Sequence, residues 1–296
     1  MTDDLFAPLG QRRIVSAKGI DFELWESGAG EKFALLLHGF PEHAISWRFQ
    51  VPLLVSLGYR VWVVNQRGYG GTTTPAERSA YSLKNLTEDV AALIDAAHAE
   101  KPAKTTTLIA HDWGALVAWT FAARKMRPLE KLVICNVPHP LCFKREYQRN
   151  PKQRKKSWYT RFFQIPWLPE TLLARKGGAP IAKMLRDTSA NRANFPRDIL
   201  AIYAANAARP GGMRAMIDWY RRAMNDLMAA TDLGGKIETP TLICWGEKDV
   251  ALEVATLDGV EQYVRDVKIV RLPNASHWVQ QDAPDEVNAA IREFLA

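Results

Sequence analysis

The stretch TTTLIAHDWGAL, Thr105 to Leu116, leaves this chain few ways to fold. A β-rich apolar run, Thr105 to Ala110, passes into a helix-forming run, Trp113 to Met126, with only a short turn between them. The residues on either side of that turn, Ala110 and Gly114, are small, as a bend that brings strand and helix close together requires. Such a bend lifts its central side chain, here Asp112. A serine in that position attacks acyl carbon. A carboxylate suits displacement at saturated carbon, giving an enzyme ester that water must then hydrolyse. Aspartate is also a common helix cap, so the reading depends on what else the chain brings to the same place.

Apolar runs alternate with helical periods on both sides of the bend. Gln11 to Ala17 and Ile20 to Glu26 read as a hairpin turning at Lys18-Gly19. Phe33 to Leu37, Arg60 to Val64, Lys131 to Cys135, Thr241 to Trp245 and Val267 to Leu272 read as further strands, most of them apolar throughout, as strands covered on both faces are. Helices are expected at about Trp47 to Leu57, at Leu83 to Ala99, and after Pro284. The alternation gives a mostly parallel sheet covered by helices on both faces. It breaks between Pro138 and about Thr231, where short helical stretches rich in Trp, Tyr, Arg and Met are punctuated by prolines. Residues 138–231 are therefore expected to be an inserted helical lid on a core of 1–137 and 232–296. The Gly-rich turn NQRGYGGT, Asn65 to Thr72, lacks both phosphate-loop fingerprints and reads as a structural turn.

In sheets of this kind, sites form beyond the carboxyl ends of the strands. Three strand ends carry reactive side chains: Asp112, Asp249 after TLICWGEK, and His277 in NASHW. Their chain order, nucleophile then acid then histidine, is that of the α/β-hydrolase fold. Asp249 would hold the tautomer of His277 and stabilise its charged form once the ring has taken a proton from water. Hydrolysis builds negative charge on Asp112, so backbone N–H groups of Trp113 and Phe40 are the expected oxyanion hole, with a cis Phe40-Pro41 bond. His38, His43, His98, His111 and His139 are read as structural. The lid supplies two kinds of donor for a departing group: Tyr159 and Tyr220, which stay protonated at neutral pH, and the indoles of Trp158, Trp167 and Trp219.

At these residues the chain resembles the soluble epoxide hydrolases of the α/β-hydrolase family. The similarity runs from HGFPE with SWR behind it, through RGYG, HDWG and NVPHP, to SHWVQQDAPDEVN. SWYTRFFQIP and MIDWYRRAM look like the segments that carry that family's ring-opening tyrosines. The resemblance implies an epoxide hydrolase that converts a hydrophobic epoxide and water to a vicinal diol through an ester on Asp112. Tyr159 and Tyr220 would be the proton donors and Asp249 with His277 the water-activating pair. No cofactor or metal is implied. Asn65 stands where an aspartate is often found, Ala110 replaces the first elbow glycine, and Trp167 replaces a common glycine and is expected to narrow the pocket. The alternative is a haloalkane-type dehalogenase using the same aspartate, for which the tyrosines fit less well.

Composition limits the rest. With 47% hydrophobic and 24% charged residues in 296, the chain can bury a sizeable core. No signal-peptide core or membrane-length run is seen, and a cytoplasmic monomer or homodimer is expected. Cys135, Cys142 and Cys244 have no metal-like spacing and read as reduced, buried thiols. The net charge is +7, with a basic cluster from Lys144 to Lys156 that reads as a solvated face, so neither nucleic acid nor membrane is expected as a partner.

Overall fold

The computed structural model describes residues 3–230, 233 and 235–296. Among these, eight strands form one sheet: β1 (Gln11–Ala17), β2 (Ile20–Ser27), β3 (Lys32–Leu37), β4 (Tyr59–Val64), β5 (Thr105–His111), β6 (Lys131–Cys135), β7 (Thr241–Gly246) and β8 (Val267–Leu272), in the order β1-β2-β4-β3-β5-β6-β7-β8. The β1–β2 and β2–β4 pairs are antiparallel and the remaining pairs parallel. This is the α/β-hydrolase fold. The central strands are apolar because helices cover both of their faces: Phe33 to Leu36 and Val61 to Val64 are sealed from solvent. Each Val, Leu or Phe side chain among them contributes about 1.5–3 kcal/mol by leaving water.

Leu83–Glu100 and Asp112–Ala123 are two of the covering helices, and the chain closes with Pro284–Leu295, which has Pro at its first turn. One helix departs from expectation. The residues around Trp47 form a 3₁₀ turn, Ala44–Trp47, and the α-helix begins only at Gln50 and ends at Ser56. Pro52 explains the late start, because a residue without an N–H is tolerated only where that group would have no intrahelical partner, in the first turn.

Between β6 and β7 the described residues form no further strand of the sheet beyond an isolated bridge from Ile237 to Val264, and the regular elements are helices, among them Pro140–Arg149, Pro151–Lys156, Trp158–Phe162, Leu168–Thr188, Arg197–Ala208 and Gly212–Ala229. The expected boundary at 231–232 lies outside the described residues. No helix among the described residues is long and apolar enough to cross a membrane. All three cysteines are free and buried, with Cys135 and Cys244 in register on β6 and β7.

The turn after β4 is structural, and it accounts for Asn65. The Asn65 amide donates to Glu23 at 2.6 Å while its oxygen accepts from the Ala44 N–H, and the Gly71 N–H donates to the same Glu23 oxygen. An aspartate at 65 would set two carboxylates together in a buried pocket; with a glutamate at 23, the amide is the side chain that fits.

Candidate active site

Asp112 sits where β5 becomes a helix, with φ +46, the left-handed region that a non-glycine residue adopts only under strain. The bend depends on small neighbours. A Cβ on Gly114 would lie 2.6 Å from the carbonyl oxygens of Leu37 and His38, and one on Gly39 would lie 2.2 Å from the Asp112 Cβ. The carboxylate is thereby lifted to the end of the sheet, its side chain 16% exposed.

The carboxylate has two distinct oxygens. The Phe40 N–H donates to Oδ1 at 2.6 Å, from the loop after β3 where the Phe40-Pro41 bond is cis, as expected. Oδ2 lies 3.4 Å from His277 Nε2. The Trp113 N–H, in the first helical turn and so without an intrahelical carbonyl, makes no hydrogen bond to the carboxylate. Of the two expected donors, one is therefore engaged.

On its other side the His277 ring donates from Nδ1 to Asp249 Oδ2 at 2.7 Å. Asp249 in turn accepts from Asn136 Nδ2 at 2.8 Å and from the Ala251 and Leu252 N–H groups at 2.7 and 2.9 Å. Burial acts against the charged form of all three groups, and their mutual attraction overrides it. Asp112 is held below the usual carboxylate range by the His277 hydrogen bond and charge, with help from His111 and Phe40. Asp249 is lowered by His277 and Asn136. His277 is held well above the usual histidine value by the two carboxylates that flank it.

Above Asp112 lies a cavity of about 270 Å³ whose walls include Phe40, Tyr159, Tyr220, His277 and Trp278, and a smaller one of about 40 Å³ meets it across Asp112, Tyr159 and Tyr220. Tyr159 comes from the Trp158–Phe162 helix and Tyr220 from Gly212–Ala229, their rings 5.9 Å apart at 84°. Phe163 and Phe40 pack edge-on against Tyr220 at 4.8 and 5.2 Å, and Trp113 at 4.9 Å. Burial first, and the Asp112 charge second, raise both phenols well above 10, so both hold their protons at any physiological pH.

The comparisons with known proteins agree with this arrangement. The family model for the alpha/beta hydrolase fold matches residues 35–284. Epoxide hydrolase 2 of Caenorhabditis elegans is 34% identical over 290 residues, 96% of this chain and 79% of its own. The crystal structure of Bacillus megaterium epoxide hydrolase with an inhibitor superposes with a TM-score of 0.87 at 29% identity, covering 96% of this chain and 99% of that one. A mutant of an epoxide hydrolase from Bacillus megaterium, complexed with its product (R)-3-[1]naphthyloxy-propane-1,2-diol, gives 0.84 at 28% identity with the same coverage. The chain belongs to the epoxide hydrolases of the α/β-hydrolase fold.

In this epoxide hydrolase two of the three indoles expected near a leaving group lie elsewhere. Trp219 donates its N–H to the Arg67 carbonyl at 3.1 Å. Trp167 does not narrow the pocket: it is 81% exposed, with φ +53 immediately before the Leu168–Thr188 helix. That left-handed backbone is what a glycine adopts freely, and it turns the indole outward. Trp158 lines the larger cavity but is 64% exposed, at the mouth.

Two features were missed from sequence. His111 has a partner: its Nδ1 lies 2.6 Å from Glu42, and its Nε2 donates to the His277 carbonyl at 2.9 Å. Glu42 also accepts from the Gly39 N–H and from Gln280 and Gln281. The HGFPE loop, the elbow and the His277 loop thus share one buried network. By contrast His38 is neutral and structural, pushed down to about 4 by burial, donating to the Gly39 carbonyl and accepting from the Gln66 N–H.

The second is a strap from the insert to the Asp249 loop. Gln153, fully buried, donates to the Ala251 carbonyl at 3.0 Å and to Ser157 Oγ at 2.8 Å, and accepts from the Glu253 N–H at 2.8 Å. Lys156 donates to the Asp249 and Leu252 carbonyls at 2.7 and 3.2 Å and pairs with Glu253. Nothing in the polar run PKQRKKS sets Gln153 and Lys156 apart from its solvated residues.

Proposed function

We propose that Asp112 opens the epoxide by direct attack, forming an alkyl ester that His277 and Asp249 then hydrolyse. In this reading 138–231 is a cap domain over a core of 1–137 and 232–296. Oδ2, the oxygen free of the Phe40 amide, attacks a ring carbon. The carbon–oxygen bond breaks, and the departing oxygen takes a proton from Tyr159 or Tyr220 instead of leaving as a bare alkoxide in an apolar pocket. Water then attacks the ester carbonyl carbon as His277 Nε2 takes its proton. The charge that develops on Oδ1 meets the Phe40 and Trp113 N–H groups, a donor of that kind contributing about 3 kcal/mol. Collapse releases the diol with one oxygen from Asp112, which takes the proton held by His277; the second water proton leaves the Asp112 carboxyl and restores the phenol, and the water oxygen stays in the carboxylate.

The observation that carries the reading is the single cavity walled by the lifted carboxylate, both high-pKa phenols and the histidine. Apart from Lys156 and Thr188 its other walls, Phe163, Met184, Val250 and Trp278 among them, are apolar, which suits a hydrophobic epoxide. The bulky aryl diol held by the Bacillus megaterium enzyme is consistent with such a substrate. The dehalogenase alternative is weaker, because the groups facing the carboxylate from the insert are phenols and two of the candidate indoles point away. One turnover in oxygen-18 water, with enzyme in excess, tests the mechanism. An ester on Asp112 predicts unlabelled diol in the first turnover and label in the protein; labelled diol at the outset would mean direct attack by water.

A further inference from the structure

We propose that the outer face of the insert docks on an anionic lipid surface, with the cavity mouth opening on that face. The charge of the chain is divided unequally. Residues 138–231 carry 18 Lys and Arg against 6 Asp and Glu, while the rest of the chain carries 21 against 26. The imbalance is sharpest from Tyr147 to Pro169, with six cations and no carboxylate. Lys156 is consumed by the strap and Arg154 donates to the Gln148 carbonyl. Among the described residues, Arg149, Lys152, Lys155 and Arg161 enter no ion pair, and all four are exposed.

The same stretch holds most of the exposed large apolar side chains. Trp158, Ile165, Trp167 and Leu168 fall within eleven residues, and Val250, 53% exposed, lines the cavity mouth with Trp158. Lys155, Trp158 and Arg161 recur at intervals of three through two short consecutive helices, which puts a cation on each side of the indole. Tight turns then fold the chain back, the Gln164 N–H on the Arg161 carbonyl and the Ile165 N–H on that of Phe162, before the outward-facing Trp167.

Exposed apolar groups clustered in this way mark an interaction surface. Tryptophan with flanking Lys and Arg is the pattern that fits a lipid headgroup region, the rings entering the apolar boundary and the cations meeting phosphates. Nucleic acid would use the cations and stack on indoles but gains nothing from Ile165 and Leu168. The chain would lie on the surface without crossing it, in keeping with its helices. Resting on the reading of the substrate as a hydrophobic epoxide, such docking brings the mouth to where that substrate partitions. The basic cluster is then a contact face, contrary to the expectation of a solvated one.

The test uses the full chain with vesicles of phosphatidylcholine alone and with added phosphatidylglycerol, followed by sedimentation and by quenching of tryptophan fluorescence with brominated lipid. Binding should be at least about tenfold tighter to the anionic vesicles and should weaken with salt. Trp167→Gly, which suits the left-handed backbone, and the pair Lys152→Glu and Lys155→Glu should each weaken binding several-fold. Both should leave hydrolysis of a water-soluble epoxide unchanged, which also reports that they are folded. Equal affinity for neutral and anionic vesicles, no binding to either, or tighter binding to a single-stranded oligonucleotide would overturn the proposal. Loss of epoxide turnover with vesicle binding intact would count against the reaction and leave the docking surface standing.

Discussion

The core and the insert hold their reactive groups by different physics. Asp112, Asp249 and His277 follow β5, β7 and β8, the first two strands buried and the third a partly exposed edge, and backbone amides, Asn136 and one another fix their atoms. Tyr159 and Tyr220 stand on helices of the insert and are held chiefly by ring packing among Phe40, Trp113 and Phe163. Directed bonds constrain both distance and angle, whereas ring packing sets a position and tolerates small rotations. The difference matches the proposed chemistry, since a general base must meet one water at one angle, while two phenols can share a departing oxygen.

The largest expected effect breaks the core half alone. His277→Gln should slow ester hydrolysis on the order of 10³-fold or more while ring opening proceeds, so that intact protein gains the substrate's mass at Asp112; an unshifted mass under saturating epoxide would contradict the division. Next, Tyr159→Phe and Tyr220→Phe should each slow ring opening about 10- to 100-fold, the double variant far more, with no accumulation of ester in rapid-quench samples. Gln153→Leu sharpens the comparison at the seam. Removing its bonds leaves the Ala251 carbonyl and Glu253 N–H unpaired, so stability should fall by about 1–3 kcal/mol in denaturant unfolding, with ester hydrolysis slowed more than ring opening; loss of stability without any change in rate would make Gln153 a packing residue only.

The smallest effect concerns pH. The two flanking carboxylates keep His277 protonated to above the usual histidine range in the free enzyme. Esterification removes the Asp112 charge, so the ring loses its proton more readily, and only the neutral ring can accept one from water. Ester hydrolysis should therefore rise with pH along a limb that lies below the titration of His277 in the free enzyme. Single-turnover rates set against NMR of the imidazole would show it, and coincident curves would refute it.

The contrast between core and insert also governs what the sequence discloses. The strand ends were legible because a doubly covered strand must be apolar throughout, and because a carboxylate between Ala110 and Gly114 has few other uses. The tyrosines were legible only through their flanking segments, since a Trp-Tyr pair on a helix usually packs. Glu42, Asn136 and Gln153 carried no local signal, because the partners that tie each to the site lie some seventy residues away or more, as His111 does from Glu42. Trp167 was misread because side-chain direction at that position follows from a backbone angle that composition does not reveal.

The strap from Gln153 and Lys156 to residues 249–253 has a consequence for anyone recombining members of this family. Grafting a foreign lid between β6 and β7 would import new phenols and also sever the ties that seat the catalytic acid. A chimera that exchanges only the lid should lose the second half of its cycle before the first, and exchanging the 249–253 loop along with it should restore the balance.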